Sequence, residues 1–307
     1  MKPSRGQTHW LCFFSFLFSA KSICSDLSSL HLIGRRATPL KCPYLGVAST
    51  CRSSRDIFQT HPFDNPKLHM ATKGASKKWL PLESNPEVIA KFAHTLGLPA
   101  DIGFHDIFGF DDDLLAMVPS PTHAVLLLFP ITSTSETQRN EEATAIEKNG
   151  QPKLSENVYY TKQTIGNACG TIGVLHAVGN NLDKFTIEPN SYFSKFFENT
   201  KAMSPDERAK YLESDDSLET AHESAVAAGE TDCPTIDEQI NLHFVALVEV
   251  DGGLYELDGR KKTPIYHGTT TSETLLKDSV PVIQKFIASA EGSVKFNAIA
   301  LAPGGGW

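Results

Sequence analysis

The order of hydrophobic and polar residues predicts helices and strands that follow one another along most of the chain. Val88, Ile89 and Phe92 recur at helical spacing behind Asn85-Pro86, a pair typical of a helix start. Short apolar runs predict buried strands at residues 124–130 (AVLLLFP), 243–250 (HFVALVEV) and 293–302 (SVKFNAIALA). Helices and strands interspersed in this way indicate one α/β domain with a central sheet.

Two further segments define the middle of this domain. Residues 170–181 are almost continuously apolar and predict a buried helix. Asp251-Gly252-Gly253 separates the run at 243–250 from a second one at 254–257, a pattern typical of a β-hairpin. The two halves of that hairpin would lie side by side in antiparallel pairing.

The first 69 residues differ in composition from the rest. They contain nine Lys or Arg and three acidic residues, a net charge of +6, while the whole chain carries -8, so the other 238 residues carry -14. Three interpretations of this segment are open. The apolar run at 10–20 (WLCFFSFLFSA) is typical of a signal peptide and is too short to span a bilayer. The remainder, which contains Ser and Arg, is typical of a transit peptide, and Met70 could be an internal start of translation. We expect residues 1–76 to be a basic, disordered leader or targeting segment.

Charge and cysteine content exclude several classes of function. Residues 70–307, called the body below, are acidic, which argues against nucleic-acid binding because that needs clustered Lys and Arg. No apolar run is long enough to be a membrane span. Only Cys169 and Cys233 lie in the body, without a disulfide framework, metal-ligand spacing or a phosphate-binding glycine motif. We therefore expect a reduced, cytoplasmic protein that needs no metal or cofactor, with the nucleus as a further location. Organellar import and secretion are the lesser alternatives.

Candidate chemistry is concentrated around Cys169. Gly166 and Gly170 bracket this residue, and the predicted buried helix starts directly behind it. A helix amino end favours the thiolate, the nucleophilic form of cysteine, and its free N–H groups can bind an oxyanion. Gln163, six residues earlier, is a side-chain donor that could complete this oxyanion hole. The alternative is that Cys169 is simply a small buried apolar residue.

A nucleophilic cysteine needs a base, and two histidines are candidates. His176 lies seven residues after Cys169 on the same helix, about 10 Å away, which is too far for proton transfer. His243 opens the first hairpin strand and Asp258 follows the second, so the hairpin would bring them together. Nucleophile, base and orienting acid would then form a triad, although each of the latter two residues also suits a structural role.

Three segments identify a family. QTIGNACGTIGVLHAVGNN, NLHFVALVEVDGGLYELDGRK and KKWLPLESNPEV closely resemble the UCH family of ubiquitin carboxyl-terminal hydrolases, papain-like cysteine deubiquitinases of the C12 type. By position, the resemblance implies that Cys169 is the nucleophile, Gln163 the oxyanion-hole residue and His243 the general base, which Asp258 orients. The implied fold is an α/β (α+β) papain-like domain at residues 77–303, with a central antiparallel sheet flanked by helices, a knotted backbone and a short tail at 304–307.

The resemblance also assigns the segment at residues 214–234 (SDDSLETAHESAVAAGETDCP). It is acidic and poor in large apolar residues, which predicts a surface loop. In the family a crossover loop here arches over the active site and restricts the size of what is released. The substrates would then be small or flexible adducts, joined to the terminal glycine of ubiquitin by an ester, thioester, amide or peptide bond. Cys233 would belong to this loop and would not be catalytic.

Ubiquitin and its adducts are therefore the implied partners of a monomeric enzyme, and a ubiquitin-like modifier is a further candidate. An acidic body complements the basic face of ubiquitin. Glu83, Glu87 and Asp106 match family positions that contact ubiquitin. Two alternatives stay open at this point: a protein that binds and stabilises ubiquitin with little turnover, and another Cys-His-Asp enzyme such as a transferase or a general peptidase.

Overall fold

A computed structural model of the chain describes residues 77–230, 235, 238 and 240–304. Its helices are α1 Pro86–Leu96, α2 Asp112–Leu115, α3 Ser133–Asn149, α4 Cys169–Gly179, α5 Tyr192–Thr200, α6 Pro205–Glu213, α7 Asp216–Ala227 and α8 Leu275–Ala288. Its strands are β1 Ile102–Asp106, β2 Ala124–Pro130, β3 Leu242–Val250, β4 Gly253–Leu257, β5 Ile265–Thr269 and β6 Asn297–Pro303. The predicted leader at 1–76, Cys233 and residues 305–307 lie outside the described residues.

The strands form one antiparallel sheet in the order β1-β6-β2-β3-β4-β5. Strand β6, the last in the chain, lies between β1 and β2, and β3 and β4 form the predicted hairpin. The expected antiparallel sheet flanked by helices is therefore confirmed. The knotted backbone stays a prediction.

Both faces of the sheet are buried around its central strands, which explains why β2 and the middle of β3 are apolar at successive positions. In β2, Leu126 packs into the core that contains α1, α4, α5 and α7, whereas Val125 and Leu127 point into the core beneath α8. Strand β3 alternates in the same way, with Phe244 on the first face and Val245 on the second. Successive side chains of a strand point to opposite faces, so a central strand here needs apolar residues at every position.

Local capping fixes the first helix as the sequence predicts. The side-chain oxygen of Asn85 accepts hydrogen bonds from the backbone N–H groups of Glu87 and Val88, and Pro86 occupies the first helical position. Gly97, with a φ of 111°, ends the helix in the left-handed conformation. Helix α1 then buries its apolar stripe against α7 and the sheet.

The predicted surface loop at 214–234 is wrong over residues 216–227, which form helix α7. Asp215 caps this helix by accepting a hydrogen bond from the Leu218 N–H, 3.0 Å away. Leu218, His222 and Ala225 are buried on one side of it. A helix can bury a stripe of small and mixed residues, so the scarcity of large apolar groups did not exclude a packed element. Residues 231–234 lie outside the described residues.

The polar segment behind β2 forms α3, a helix with no buried residue. Thr132 and Ser135 close a capping box at its start. No helix in the described residues is both long and apolar enough to cross a membrane.

The two-faced sheet makes a direct stability prediction. Leu247, at the centre of β3, has no exposed surface, so Leu247→Ala leaves a cavity between sheet and α8. We expect this change to lower the free energy of unfolding by about 2–5 kcal/mol, measured by denaturant unfolding followed by circular dichroism. Val294→Ala, at a side chain 90% exposed, is the control and should change it by less than about 0.5 kcal/mol. Equal losses in both variants would contradict the packing described here.

Candidate active site

Cys169 is the first residue of α4 and lies almost buried at the helix amino end, with 8% of its surface exposed. The His243 side chain and the backbones of Phe244 and Gly170 interact with its sulfur and stabilise the anion. Close packing makes this possible, because an added Cβ on Gly170 would come within 3.0 Å of Leu82. The thiol therefore faces several groups that favour its anionic form.

The chain in front of Cys169 is held by the first described segment. Trp79 donates its backbone N–H to the Gly166 carbonyl at 2.9 Å, and Asn167 donates its side-chain amide to the Trp79 carbonyl at 3.0 Å. Asn167 has a φ of 59°, a conformation that asparagine tolerates better than most residues. This residue fixes the sharp turn that leads the chain into α4.

His243 and Asp258 meet as the hairpin predicts. Their side chains are buried, and His243 Nε2 lies 2.6 Å from Asp258 Oδ1. Pairing of Leu257 with Ala246 brings the end of β4 beside the start of β3. Asp258 also accepts hydrogen bonds from the Arg260 backbone N–H on Oδ1 at 2.9 Å and from the Tyr160 hydroxyl on its carbonyl at 2.8 Å.

These contacts shift the pKa values of His243, Asp258 and Cys169 so that each group favours its charged form. Burial acts to lower the pKa of His243, but the Asp258 charge and hydrogen bond, together with Cys169, outweigh it and raise the pKa to about 9. Burial acts to raise the pKa of Asp258, but His243, the Arg260 N–H and Lys261 lower it to about 2. Burial likewise opposes ionisation of Cys169, yet the hydrogen bond and charge of His243 lower its pKa below the ordinary thiol value.

Gln163 lies against the turn that carries Asp258. Its backbone N–H donates to the Gly259 carbonyl at 2.8 Å, and its side-chain Nε2 donates to the Ile165 carbonyl at 3.2 Å. Its Oε1 is buried and has no hydrogen-bond partner among the described residues. An added Cβ on Gly259 would come within 2.9 Å of the Gln163 Cβ, so only glycine permits this close approach.

His176 is packed away from the thiol, in agreement with its sequence position. The imidazole is fully buried, its Nε2 lies 3.1 Å from the backbone of Thr161, and its ring stacks on Tyr160. Burial lowers its pKa to about 4, so it is neutral at physiological pH. Within the described residues, no group of three or more His, Cys, Asp or Glu side chains is arranged to hold a metal ion.

A cleft of about 250 Å³ opens beside the sulfur. Its lining is mainly apolar and consists of Pro81, Leu82, Glu83, Ser84, Leu128, Asn167, Cys169, Val226, Ile240, Leu242 and Phe244. Glu83 is the one acidic residue in this lining, and its Oε2 accepts a hydrogen bond from the Glu230 N–H at 2.8 Å. The cleft therefore lies between the start of the domain, the end of α7 and Cys169.

The other two predicted contact residues, Glu87 and Asp106, are both close to Glu83. Glu87 follows it by four residues, and Asp106 is linked through the side-chain amide of Asn297 to Ser84, the residue after Glu83. Glu87 is exposed in the first turn of α1. Asp106 ends β1, where burial raises its pKa, and Asn297 reaches it at 3.5 Å while also donating to the Ser84 carbonyl at 2.9 Å. Their role in binding ubiquitin stays a prediction.

Some residues of the site were not singled out by sequence reasoning. Asn167 shapes the turn two residues before Cys169, and Gly259 shapes the turn directly after Asp258. Lys261 contacts the buried Glu256, which lies two residues before Asp258. The signal was present as three successive basic residues, 260–262, directly behind Asp258-Gly259.

Known proteins match this chain over most of its length. The family model described as "Ubiquitin carboxyl-terminal hydrolase, family 1" matches residues 79–288. Ubiquitin carboxyl-terminal hydrolase 3 of Arabidopsis thaliana is 48% identical over 228 residues, which cover 74% of this chain and 95% of the relative. Isozyme L1 of Homo sapiens is 41% identical over 221 residues, 72% of this chain and 96% of the relative.

A solved structure supports the fold independently. The catalytic domain of Trichinella spiralis UCH37, bound to ubiquitin vinyl methyl ester, superposes with a TM-score of 0.61 at 23% identity and covers 75% of this chain and 97% of that one. At this identity the likeness concerns the fold, a papain-like α+β domain. The family model and the relatives show that this chain belongs to the UCH family of ubiquitin carboxyl-terminal hydrolases.

Proposed function

We propose that this protein is a cysteine-type deubiquitinase that hydrolyses the bond at the carboxyl-terminal glycine of ubiquitin. The observation that carries the proposal is the contact of Cys169 with His243, which is held in turn by Asp258 at 2.6 Å. The three groups stand at the amino end of a buried helix and beside an open cleft. Membership of the UCH family assigns the reaction class to this geometry.

The reaction follows from the charge states of these groups. The Cys169 thiolate attacks the glycine carbonyl carbon, and the tetrahedral intermediate collapses as His243 gives a proton to the leaving oxygen, sulfur or nitrogen. Ubiquitin is then held as a thioester on Cys169. His243 next takes a proton from water, and the hydroxide attacks the thioester carbonyl. The C–S bond breaks and restores the Cys169 thiolate beside the His243 imidazolium, and ubiquitin leaves as the free carboxylate after its acid proton passes to solvent.

Gln163 and Asp258 support these steps in different ways. We assign Gln163 the role of side-chain donor to the oxyanion, which its Nε2 reaches by leaving the Ile165 carbonyl. Backbone N–H groups at the start of α4 supply further donors. Asp258 orients the imidazole and stabilises its charged form, in line with the raised pKa of His243.

Ubiquitin is the partner that fits the rest of the domain. The relative of known structure was captured with a ubiquitin vinyl methyl ester. An acidic domain attracts a basic partner, and Glu83, Glu87 and Asp106 are the carboxylates that we assign to this encounter. The narrow apolar cleft favours an extended carboxyl-terminal tail joined to a small or flexible adduct.

The alternative of a ubiquitin-stabilising protein with little turnover is less consistent with this site. Pure binding requires neither an ionised thiol nor a buried imidazole paired with a carboxylate, and each of these buried groups costs stability when it is charged. A general peptidase is also disfavoured, because the relatives are all named for hydrolysis at ubiquitin.

The first prediction concerns the nucleophile. Cys169→Ala should abolish release of a fluorophore from the carboxyl end of ubiquitin, with a loss of at least about 1,000-fold, because Cys169 carries the one thiol among the described residues and therefore forms the thioester. Circular dichroism should show a folded protein, and ubiquitin affinity should persist. Cys233→Ala, the matched control in the same body, should retain full activity. Substantial turnover by the Cys169 variant would refute the mechanism, and an inactive but ubiquitin-binding wild type would favour the stabilising role.

The second prediction concerns pH. Wild-type turnover requires the Cys169 thiolate and the His243 imidazolium, so activity should fall as the pH rises through the pKa of His243 at about 9. Asp258→Asn removes the charge that raises this pKa, so the alkaline limb should move to lower pH and the rate should fall about 100-fold. Asp251→Asn, at an exposed hairpin residue whose positive φ suits asparagine, is the control and should leave the profile in place. An Asp258→Asn profile that coincides with that of wild type would contradict the assigned role.

The third prediction concerns location, and we propose the cytoplasm with access to the nucleus. The support is chemical, because a reducing compartment keeps a catalytic thiol from oxidation and residues 70–307 contain no disulfide framework. Mass spectrometry of the native amino end should find a start at Met70 or Ala71, and a carboxyl-terminally tagged protein should be cytoplasmic on imaging. A cut within residues 20–69 together with organellar or secretory staining would contradict the proposal.

A further inference from the structure

Helix α3 is attached to the rest of the domain mainly by charge. None of its residues is buried, yet three of its glutamates meet the basic run that follows Asp258 and Gly259. The pairs are Glu136 with Arg260 at 2.9 Å, Glu142 with Lys261 at 2.5 Å, and Glu147 with Lys262. The chain leaving Asp258 is thus connected to α3 by three successive ion pairs.

Lys261 differs from the lysine next to it. Its side chain is only 12% exposed, and its Nζ lies 2.5 Å from Glu256, whose side chain is 2% exposed. Lys262 has a side chain that is 78% exposed, and its ion-pair partner within the described residues is the surface residue Glu147. Solvent screens an exposed charge much more than a buried one. Lys261 therefore acts more strongly than Lys262 on the pKa values of the groups around the site.

The backbone of Lys261 belongs to the same turn as Asp258. Its N–H donates to the Asp258 carbonyl at 2.9 Å, and the Tyr160 hydroxyl donates to the carbonyls of both Asp258 and Lys261, at 2.8 and 2.6 Å. Glu256 lies two residues before Asp258, so the two carboxylates project to the same side of the chain. The Lys261 ammonium therefore anchors the far side of the turn that presents Asp258 to His243.

From this geometry we infer that Lys261 is a positioning residue for the hydrolysis: its buried ion pair with Glu256 and its contact with Glu142 hold the Asp258 turn in the place where its carboxylate meets His243. The inference rests on the proposed function, because it assigns a role in that same reaction. Lys261 acts through Asp258, since among the described residues the thiol interacts with His243 and with the backbones of Phe244 and Gly170.

The electrostatic consequence has a definite sign. The Lys261 charge lowers the pKa of Glu256 and of Asp258 against the effect of burial. Other charged or titratable groups face the same cavity of about 140 Å³: Glu136, Arg139 and Glu142 from α3, His267 from β5, Lys285 from α8, and Arg260. Removal of one buried positive charge raises the pKa of nearby acids through its charge alone. Release of the Asp258 turn, in contrast, weakens the hold of this carboxylate on His243 and lowers the pKa of the imidazole. Positioning by Lys261 therefore predicts an alkaline limb at lower pH, and a purely electrostatic role predicts both limbs at higher pH.

The test compares two neighbouring lysines in the full-length protein. Lys261→Met keeps the length of the side chain and removes its charge. Turnover of a ubiquitin–fluorophore substrate should lose about tenfold in kcat with KM unchanged, and the alkaline limb of the pH profile should move to lower pH, as with Asp258→Asn but by less. Lys262→Met removes the same charge at the surface and should match wild type in both respects. A merely structural role of Lys261 would lower kcat equally at all pH values without moving the profile.

A double variant separates charge from packing and guards against misfolding. Glu256→Gln with Lys261→Met leaves no lone charge in the buried pair, so it should fold and bring the profile back toward that of wild type. A Lys261→Met profile that coincides with wild type, or a double variant shifted as far as the single one, would overturn the inference. Neither result would touch the proposed function, which an inactive wild-type protein or an active Cys169→Ala variant would refute instead.

Discussion

The contact between Cys169 and His243 depends on one packing constraint, the close approach of α4 to the sheet. An added Cβ on Gly173 would lie 3.4 Å from Leu126, and one on Gly170 would lie 3.5 Å from Phe244, the residue directly after His243. The helix therefore brings its amino end to the point where β3 starts. Without small residues on this helix face, thiol and imidazole would be separated by the width of a side chain.

The same approach makes the site electrostatically demanding. His243 and Asp258 are both about 2% exposed, and burial of isolated charges is costly. The domain offsets this cost by alternating charges through the protein, from the thiolate to His243, Asp258, Lys261 and Glu256. Each charge has a partner of opposite sign, and Asp258 accepts a further hydrogen bond from the backbone N–H of Arg260, as a stable buried ion network requires. Catalytic charge and structural charge thus belong to one network.

Much of this could be predicted from the sequence because it depends on local pattern. Asn85-Pro86 marked the start of α1, and the hairpin glycines were enough to bring His243 toward Asp258. Helix α7 could not be predicted, because its burial depends on α1, which is far away in the sequence. Likewise, the role of Lys261 arises from the packing of α3 on the β4–β5 connection, and no local pattern distinguishes it from Lys262.

The central claim is that Cys169 exists as a thiolate paired with the His243 imidazolium. The direct measurement is the ultraviolet absorbance of the thiolate across pH, taken as the difference between wild type and Cys169→Ala. The structure predicts that the Cys169 thiolate forms at a pH below the ordinary cysteine pKa of about 8.5, because His243 favours the anion. A single transition at or above the ordinary cysteine value would contradict the ion pair.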